Sequence, residues 1–407
     1  MTTPRLPLAG IRVADFTWMG AGPFATKPLA DHGADVIKIE SMAKPDLTRL
    51  APPFAGGRPG VNRSGYFANR NSSKASISLN MKTPQGRDLA RRLIARSDVI
   101  INNFRPGAMA RWGLDYRAVA SLRPGIIYVD MPADGTEGPR TGYGGFGASI
   151  AALCGLHELS GDPDRLPVGT GTNYPDHILN PLHTATAVIA ALYHRRRTGQ
   201  GQYIEVAQFE SSVNAVATAL LAYTVTGQAA RRQGNRDGRH APRAVLRCAG
   251  PDRWCAISVR GQADWAALGQ AAGHPEWLDD PRFADDGQRL AHQDELEAAL
   301  ETWTSGMDRY DVMAACQAAG VPAGVVQTTQ DLIDRDPALR ARHWAYLDHP
   351  EMGRSLYDAP PFKLSRTPGG LRRPAPLLGG DTDHVLRTEL GLSDAEIDGY
   401  RQAGVLT

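Results

Sequence analysis

A chain of 407 residues, 42% of them hydrophobic, can bury one large core or two smaller ones, and length alone predicts two to three domains. A formal net charge of +2 gives no bulk attraction to nucleic acid, and no apolar run approaches the length needed to span a bilayer. The four cysteines, Cys154, Cys248, Cys255 and Cys316, lack C-x-x-C spacing, so neither a disulfide framework nor a zinc site is expected. Residues 1–10 show no basic start leading into an apolar segment. The expected setting is a reducing cytoplasm, with neither nucleic acid nor membrane as partner.

Residues 10–16 read as a strand, followed by a Gly-rich turn, a helix to about His32 and a second strand at 34–40, which together make a βαβ unit. A strand at 74–79 precedes a helix from about Thr83 to Arg96, where Leu89, Leu93 and Ile94 follow helical spacing. Two further strands fall at 97–104 and 125–130. The expected fold class is therefore α/β, with a doubly wound, mainly parallel, Rossmann-like sheet in the large domain. Further on, Asn173-Tyr174-Pro175-Asp176-His177 opens a long apolar segment running to Leu192. Pro175 cannot continue a helix backwards, so Asp176 reads as a helix cap or first-turn residue. The helix after it is apolar nearly all round, which predicts burial on every side.

A strand at 203–207 and a helix to about Thr226 follow. Residues 231–243, rich in Arg and Gly, mark a break in composition. Strands at 254–259 and 323–326, with helices at 263–272 and 294–305, then predict a small α+β domain. The expected domains are 1–225, 226–330, and a segment 331–407 returning to the large domain. Ser393 and Glu396 form a capping-box pattern that opens a last short helix.

Gly20-Ala21-Gly22-Pro23-Phe24-Ala25, with Glu40 about twenty residues on, loosely satisfies a dinucleotide fingerprint. Pro23 removes a backbone donor where a pyrophosphate would sit, and Trp18 and Met19 crowd the approach, which favours a plain structural turn over a nicotinamide site. The histidines show no metal-ligating pair, so no metal is expected. There is no G-x-S-x-G elbow. Asp176 is left as the strongest nucleophile candidate, set against the simpler reading of a helix cap. Asn103-Phe104-Arg105-Pro106-Gly107 ends a predicted strand, where open α/β sheets bind ligands, and Arg111 one turn on is placed to meet a phosphate. Arg195, Arg196 and Arg197 read as a solvated helix end that complements the dipole.

Taken in order, several segments resemble the class III CoA-transferase family, which includes the formyl-CoA and carnitine CoA-transferases. They are 8–16, Ala21-Gly22-Pro23, 29–40, 80–86, Asn103-Phe104-Arg105-Pro106-Gly107, 197–202, Gly234-Asn235-Arg236 and Gly391-Leu392-Ser393. The resemblance covers nearly the whole chain. It implies a cofactor-independent enzyme with no tightly bound cofactor, acting on coenzyme A thioesters and free carboxylic acids, with Asp176 as catalytic nucleophile. It further implies CoA contacts at Asn71, Lys74, Asn103, Phe104 and Arg111, and an intertwined, ring-like homodimer, or else a heteromer with a related subunit. Trp18, Met19, Gly20, Tyr143, Phe146 and Tyr174 are candidate walls of the acceptor pocket, each also readable as ordinary core. The wording around Asp176 resembles branches that use succinyl-CoA. Three departures separate the chain from formyl-CoA transferase: Ser41 replaces a basic residue, Gly20 replaces a Gln, and no Gly-rich closing loop is evident at 239–244. The family's racemase branch uses a His that falls at Tyr143 here, leaving His157 or His177 as substitutes. Racemisation, or CoA binding without turnover, is thus the alternative reading.

Overall fold

The computed structural model describes residues 6–407. Short β-branched runs make the strands of the large unit: β1 (Arg12–Asp15) leads through helix α1 (Ala21–Asp31) to β2 (Asp35–Glu40), and α2 (Gly65–Arg70) precedes β3 (Ala75–Ser78). Helix α3 (Pro84–Ile94), β4 (Val99–Asn102), α4 (Tyr116–Leu122), β5 (Ile127–Asp130), α5 (Gly147–Leu153), α6 (Asn180–Thr198), β6 (Gln202–Glu205), α7 (Gln208–Val213) and α8 (Ala217–Thr226) follow. The six strands lie in the order β3-β2-β1-β4-β5-β6, with every pairing parallel. This is the expected doubly wound sheet.

Alternate residues of each strand serve opposite faces, and both faces of the central strands β1, β4 and β5 are covered, which is why Val13, Ala14, Val99, Ile100, Ile101, Ile127 and Val129 are apolar and buried. Val13, Val36, Val99, Ile101, Ile127 and Val129 pack on Ala25 and Leu29 of α1 and on Val188 and Ala191 of α6. Ala14, Ile37, Ile77, Ile100 and Tyr128 pack on Leu89 and Leu93 of α3.

A second unit comprises residues 158–168 and 230–337. Its antiparallel sheet joins β7 (Arg243–Arg247), β8 (Trp254–Ser258) and, in chain order after α9 (Gln262–Ala271), α10 (Asp286–Ala291), α11 (Gln293–Thr304) and α12 (Arg309–Ala318), β9 (Ala323–Val325). Trp265, Leu268, Leu296, Leu300 and Val312 close its core over Leu246, Cys255 and Ile257. Helices α13 (Thr329–Asp334) and α14 (Pro337–Arg342) lead into a hairpin of β10 (Trp344–His349) and β11 (Gly353–Asp358). Helix α15 (Thr382–Leu390) then adds Val385, Leu386 and Leu390 to the α3 side of the sheet, and α16 (Asp394–Gln402) starts at Ser393 with both bonds of its capping box formed.

Two expectations need correcting. Helix α6 is not buried all round: Thr184, Ala185, Val188 and Ala191 are buried, while Leu182, Ile189 and Tyr193 are half exposed or more. Its arginine-rich end is not simply solvated, because Arg195 pairs with Asp98 at 3.1 Å and donates to the carbonyls of Asp98 and Gly125.

Candidate active site

Strand order reverses between β1 and β4, and the loops leaving their C-terminal ends form the crevice where such sheets take ligands. Asn103 stitches the two loops together: its carbonyl accepts from Trp18 N–H at 2.8 Å and its amide donates to Trp18 C=O at 2.7 Å. Met19 takes a left-handed backbone, φ 64°, a conformation costing about 1–3 kcal/mol for a residue with a Cβ. Its N–H is held by Asp46 at 3.1 Å. Behind the loop, Lys38 Nζ bridges the Asp46 carboxylate (3.0 Å) and Thr17 C=O (2.6 Å), all out of contact with water. Glu40 and Arg49 make a second buried pair, with contacts of 2.6 and 2.9 Å. A strained loop is thus braced by buried charge. Trp18, Phe104 and Trp112 continue it as an edge-to-face ladder with centroid separations of 5.3 and 5.7 Å.

Asp176 does not cap its own helix. Residues Pro175–Leu179 form a π-turn, in which Asn180 N–H donates to Pro175 C=O, and the turn runs directly into α6. The cause is in the sequence: Pro181 has no N–H for the His177 carbonyl, and its ring crowds that carbonyl, so the helix widens at this point. The turn aims the Asp176 carboxylate away from α6, and Oδ2 accepts from Gly147 N–H, at the start of α5, at 3.1 Å. A Cβ at Gly147 would stand 2.6 Å from Asp176 Oδ2, and one at Gly20 would stand 2.8 Å from Asp176 Cβ. Both glycines are there because the carboxylate fills their side-chain space. Burial raises the Asp176 pKa above the usual carboxylate value, opposed by the Gly147 N–H and the charge of Arg70.

His177, next in sequence, turns the other way. Its Nε2 lies within hydrogen-bond reach of the Arg70 guanidinium and its Nδ1 is 2.9 Å from Thr172 Oγ1. Because arginine only donates, Nε2 must accept and Nδ1–H must donate. Burial, and then Arg70, depress the His177 pKa to about 4, so the ring is neutral at neutral pH.

Asp176 borders a cavity of about 680 Å³ that runs along the switch point. Of the residues expected from sequence, Trp18, Met19, Gly20, Asn103, Phe104, Arg111, Tyr143 and Phe146 line it with Asp176. Three do not. Lys74 is sealed in the core, paired with Asp15 at 3.3 Å and bonded to Pro23 C=O and Asn71 Oδ1. Asn71 is equally buried and spends its amide on Phe67 C=O. Tyr174 lies outside the cavity lining, one residue before the π-turn. The cations that do reach the cavity are Lys44, Lys82, Arg105 and Arg111. Lys44 stands 5.1 Å above the Trp18 ring and lines the cavity together with Ser41. Sequence reasoning passed over Lys44 and Lys82. The signal available was a lysine four residues past each of two strand ends on the ligand side of the sheet.

This arrangement offers a desolvated carboxylate facing a basic, aromatic-walled cavity. Its lining contains no imidazole among the described residues, and both nitrogens of His177 are engaged. Residues 8–382 match CoA-transferase family III, and the chain belongs to that family. It is 33% identical to the succinate–glutarate CoA-transferase of Agrobacterium fabrum, over 95% of this chain and 96% of that one. It is 32% identical to the succinyl-CoA–L-malate CoA-transferase beta subunit of Chloroflexus aurantiacus, covering 100% and 99%. Among solved structures, a CAIB/BAIF family protein from Brucella suis superposes with a TM-score of 0.87 at 32% identity, covering 95% of this chain and 100% of that one. The protein is a CoA-transferase of family III. No described helix is long and apolar enough to cross a membrane.

Proposed function

We propose that the enzyme moves CoA from succinyl-CoA to a second carboxylic acid, a dicarboxylate, through covalent intermediates on Asp176. The observation that carries this reading is the Asp176 carboxylate itself, buried between two glycines and open to the basic cavity. The names of the Agrobacterium and Chloroflexus relatives support succinyl and other dicarboxylic substrates.

An ionised Asp176 attacks the thioester carbonyl and expels CoA thiolate, leaving a mixed anhydride. The thiolate then attacks the aspartyl carbonyl, releasing succinate and forming an aspartyl-CoA thioester. The acceptor carboxylate attacks that thioester, again expelling thiolate. A last attack by thiolate on the acceptor's carbonyl yields the new acyl-CoA and restores Asp176. Helix α1 begins at Ala21 with no side chain capping it, so the N–H groups of Ala21 and Gly22 beside Asp176 are the oxyanion donors in this scheme. Lys44, Lys82 and Arg111 hold the phosphates, and burial keeps water from the anhydrides.

In its active form the protein is taken to be a homodimer, since α8 buries none of its residues within the chain and exposes Leu220, Leu221, Tyr223 and Val225. The subunit wording of the Chloroflexus relative makes a heteromer the alternative. Asp176→Ala, assayed for exchange between succinyl-CoA and a panel of free acids, loses turnover while keeping the wild-type melting profile. Wild-type turnover in that variant, or α-proton exchange into deuterated water without CoA transfer, sinks the proposal.

A further inference from the structure

Arg70 closes α2 and is 5% exposed, yet it forms no ion pair among the described residues. Its Nη1 donates to Tyr66 C=O at 3.0 Å, its other terminal nitrogen meets His177 Nε2, and its Nε has no partner. The guanidinium is sandwiched by rings, 3.6 Å from the Tyr66 centroid and 4.8 Å from that of Phe24, and Phe24 also stacks on His177 at 5.5 Å. A buried cation without a carboxylate is costly to keep, and simple scaffolding would be served better by an apolar side chain. What Arg70 grips is the residue next to the nucleophile.

We propose that Arg70 is the positioning residue of Asp176: it clamps His177, and so fixes the π-turn, while its charge favours the ionised form of the neighbouring carboxylate. This rests on Asp176 being the nucleophile. Charged and titratable groups on the elements around Asp176 leave that task to Arg70. His177 is neutral; Lys27 of α1 is tied to Asp31 at 2.6 Å; Tyr66 of α2 stacks on Arg70; α5 carries no ionisable group; and Glu210 of α7 is exposed. Asp46 faces Lys38, and Asp15 faces Lys74. Burial drives the Asp176 pKa up and Arg70 drives it down, so loss of Arg70 raises it further.

The test follows adduct formation on Asp176 from succinyl-CoA as a function of pH, by quenched intact-protein mass spectrometry, in wild type, Arg70→Gln and Arg70→Lys. Removing a nearby opposite charge moves a carboxylate pKa by about 1–3 units, so the acid limb in Arg70→Gln shifts upward by about one unit or more, and the rate below the limb falls at least about tenfold. Arg70→Lys keeps the charge but loses the flat two-sided contact: its limb stays near wild type while its plateau rate drops. The KM for succinyl-CoA moves less than about twofold in either, since Arg70 is not on the cavity wall. A limb unmoved in Arg70→Gln, with one uniform loss at every pH, marks a merely structural residue and overturns the proposal. Should Arg70→Gln fail to melt cooperatively, Arg70→Lys decides: a limb displaced as far as one unit overturns it. Absence of adduct in the wild type removes the nucleophile reading itself, and this inference with it.

Discussion

Asp176 shows how the titration of a single carboxylate is set by what surrounds it. A raised folded pKa means that the native state holds its proton more tightly than the unfolded chain does. Stability from this group is therefore fully present below the unfolded pKa and is lost as pH rises through the folded one. Near neutrality the ionised form is thus held at the expense of the fold. Asp176→Asn is expected to melt above the wild type at pH 7 and to have no transferase activity; a melting temperature below wild type counts against a desolvated carboxylate. In the proposed mechanism catalysis runs the opposite way in pH, since only the ionised form attacks, and exchange is expected to fall off as pH drops through the raised pKa. The two glycines are as specific as the acid. Gly147→Ala places a Cβ 2.6 Å from Asp176 Oδ2, overpacking expected to cost about 1–3 kcal/mol in a melting or denaturant series and to lower turnover at least about a hundredfold. Asp176 was legible as a candidate from its place before an apolar helix. Gly20 was reached through the family resemblance; Gly147 and Arg70 were not, because contacts across 29 to 106 residues of chain leave no local period.

At the level of elements, the strands and most helices were readable because burial on both faces of a parallel sheet writes continuous apolar runs. Boundaries shifted by one or two residues, as fraying ends do. The π-turn was missed although Pro175 and Pro181 flank it: prolines near a helix start are common and usually tolerated, so the widening that Pro181 imposes at His177 leaves no distinct mark in the sequence. Strand β7 was obscured by the arginine-rich stretch before it, and the β10–β11 hairpin by mixed polarity on strands that are only partly covered. Lys74 was misplaced for a physical reason as well. A lysine at a strand start is usually solvated, but here three acceptors around Asp15 draw it into the core, and burial lowers its pKa to about 8. The loop at the switch point depends on the Lys38–Asp46 pair in the same way. Asp46→Ala leaves Lys38 charged and buried and frees Met19 from its anchor, a loss expected at about 3–5 kcal/mol by denaturant titration. A loss under 1 kcal/mol is inconsistent with a charge-braced loop. Lys82→Ala, by contrast, leaves stability unchanged and raises the KM for acyl-CoA about tenfold, an effect that shrinks with rising salt if Lys82 meets a phosphate.

For the whole molecule, the site draws on distant parts of the chain. Asn80 N–H donates to Val405 C=O and Met42 N–H to Thr407 C=O, so the last residues tie down two rims of the cavity that begin at β2 and β3. The α/β class and a cavity at the strand ends could be read from sequence. The surfaces of α6 and α8 could not: an apolar helix reads as core, whether its cover comes from the same chain or another. Leu182, Ile189, Tyr193, Leu220, Leu221 and Tyr223 remain open within one chain. Dimerisation covers them in the arrangement proposed above, so sedimentation velocity at micromolar concentration is expected to return twice the chain mass, and Leu221→Glu with Tyr223→Glu to weaken assembly and exchange together. A wild-type monomer with full activity contradicts that arrangement.

The most direct measurement concerns the bond that Asp176 is proposed to form. The enzyme is incubated with succinyl-CoA, quenched, weighed intact, and then treated with hydroxylamine or borohydride before peptide mapping. A thioester-dependent mass increase located on Asp176, and absent from Asp176→Ala, is the predicted result. Rapid exchange with no adduct on Asp176, or an adduct on another side chain, contradicts the mechanism.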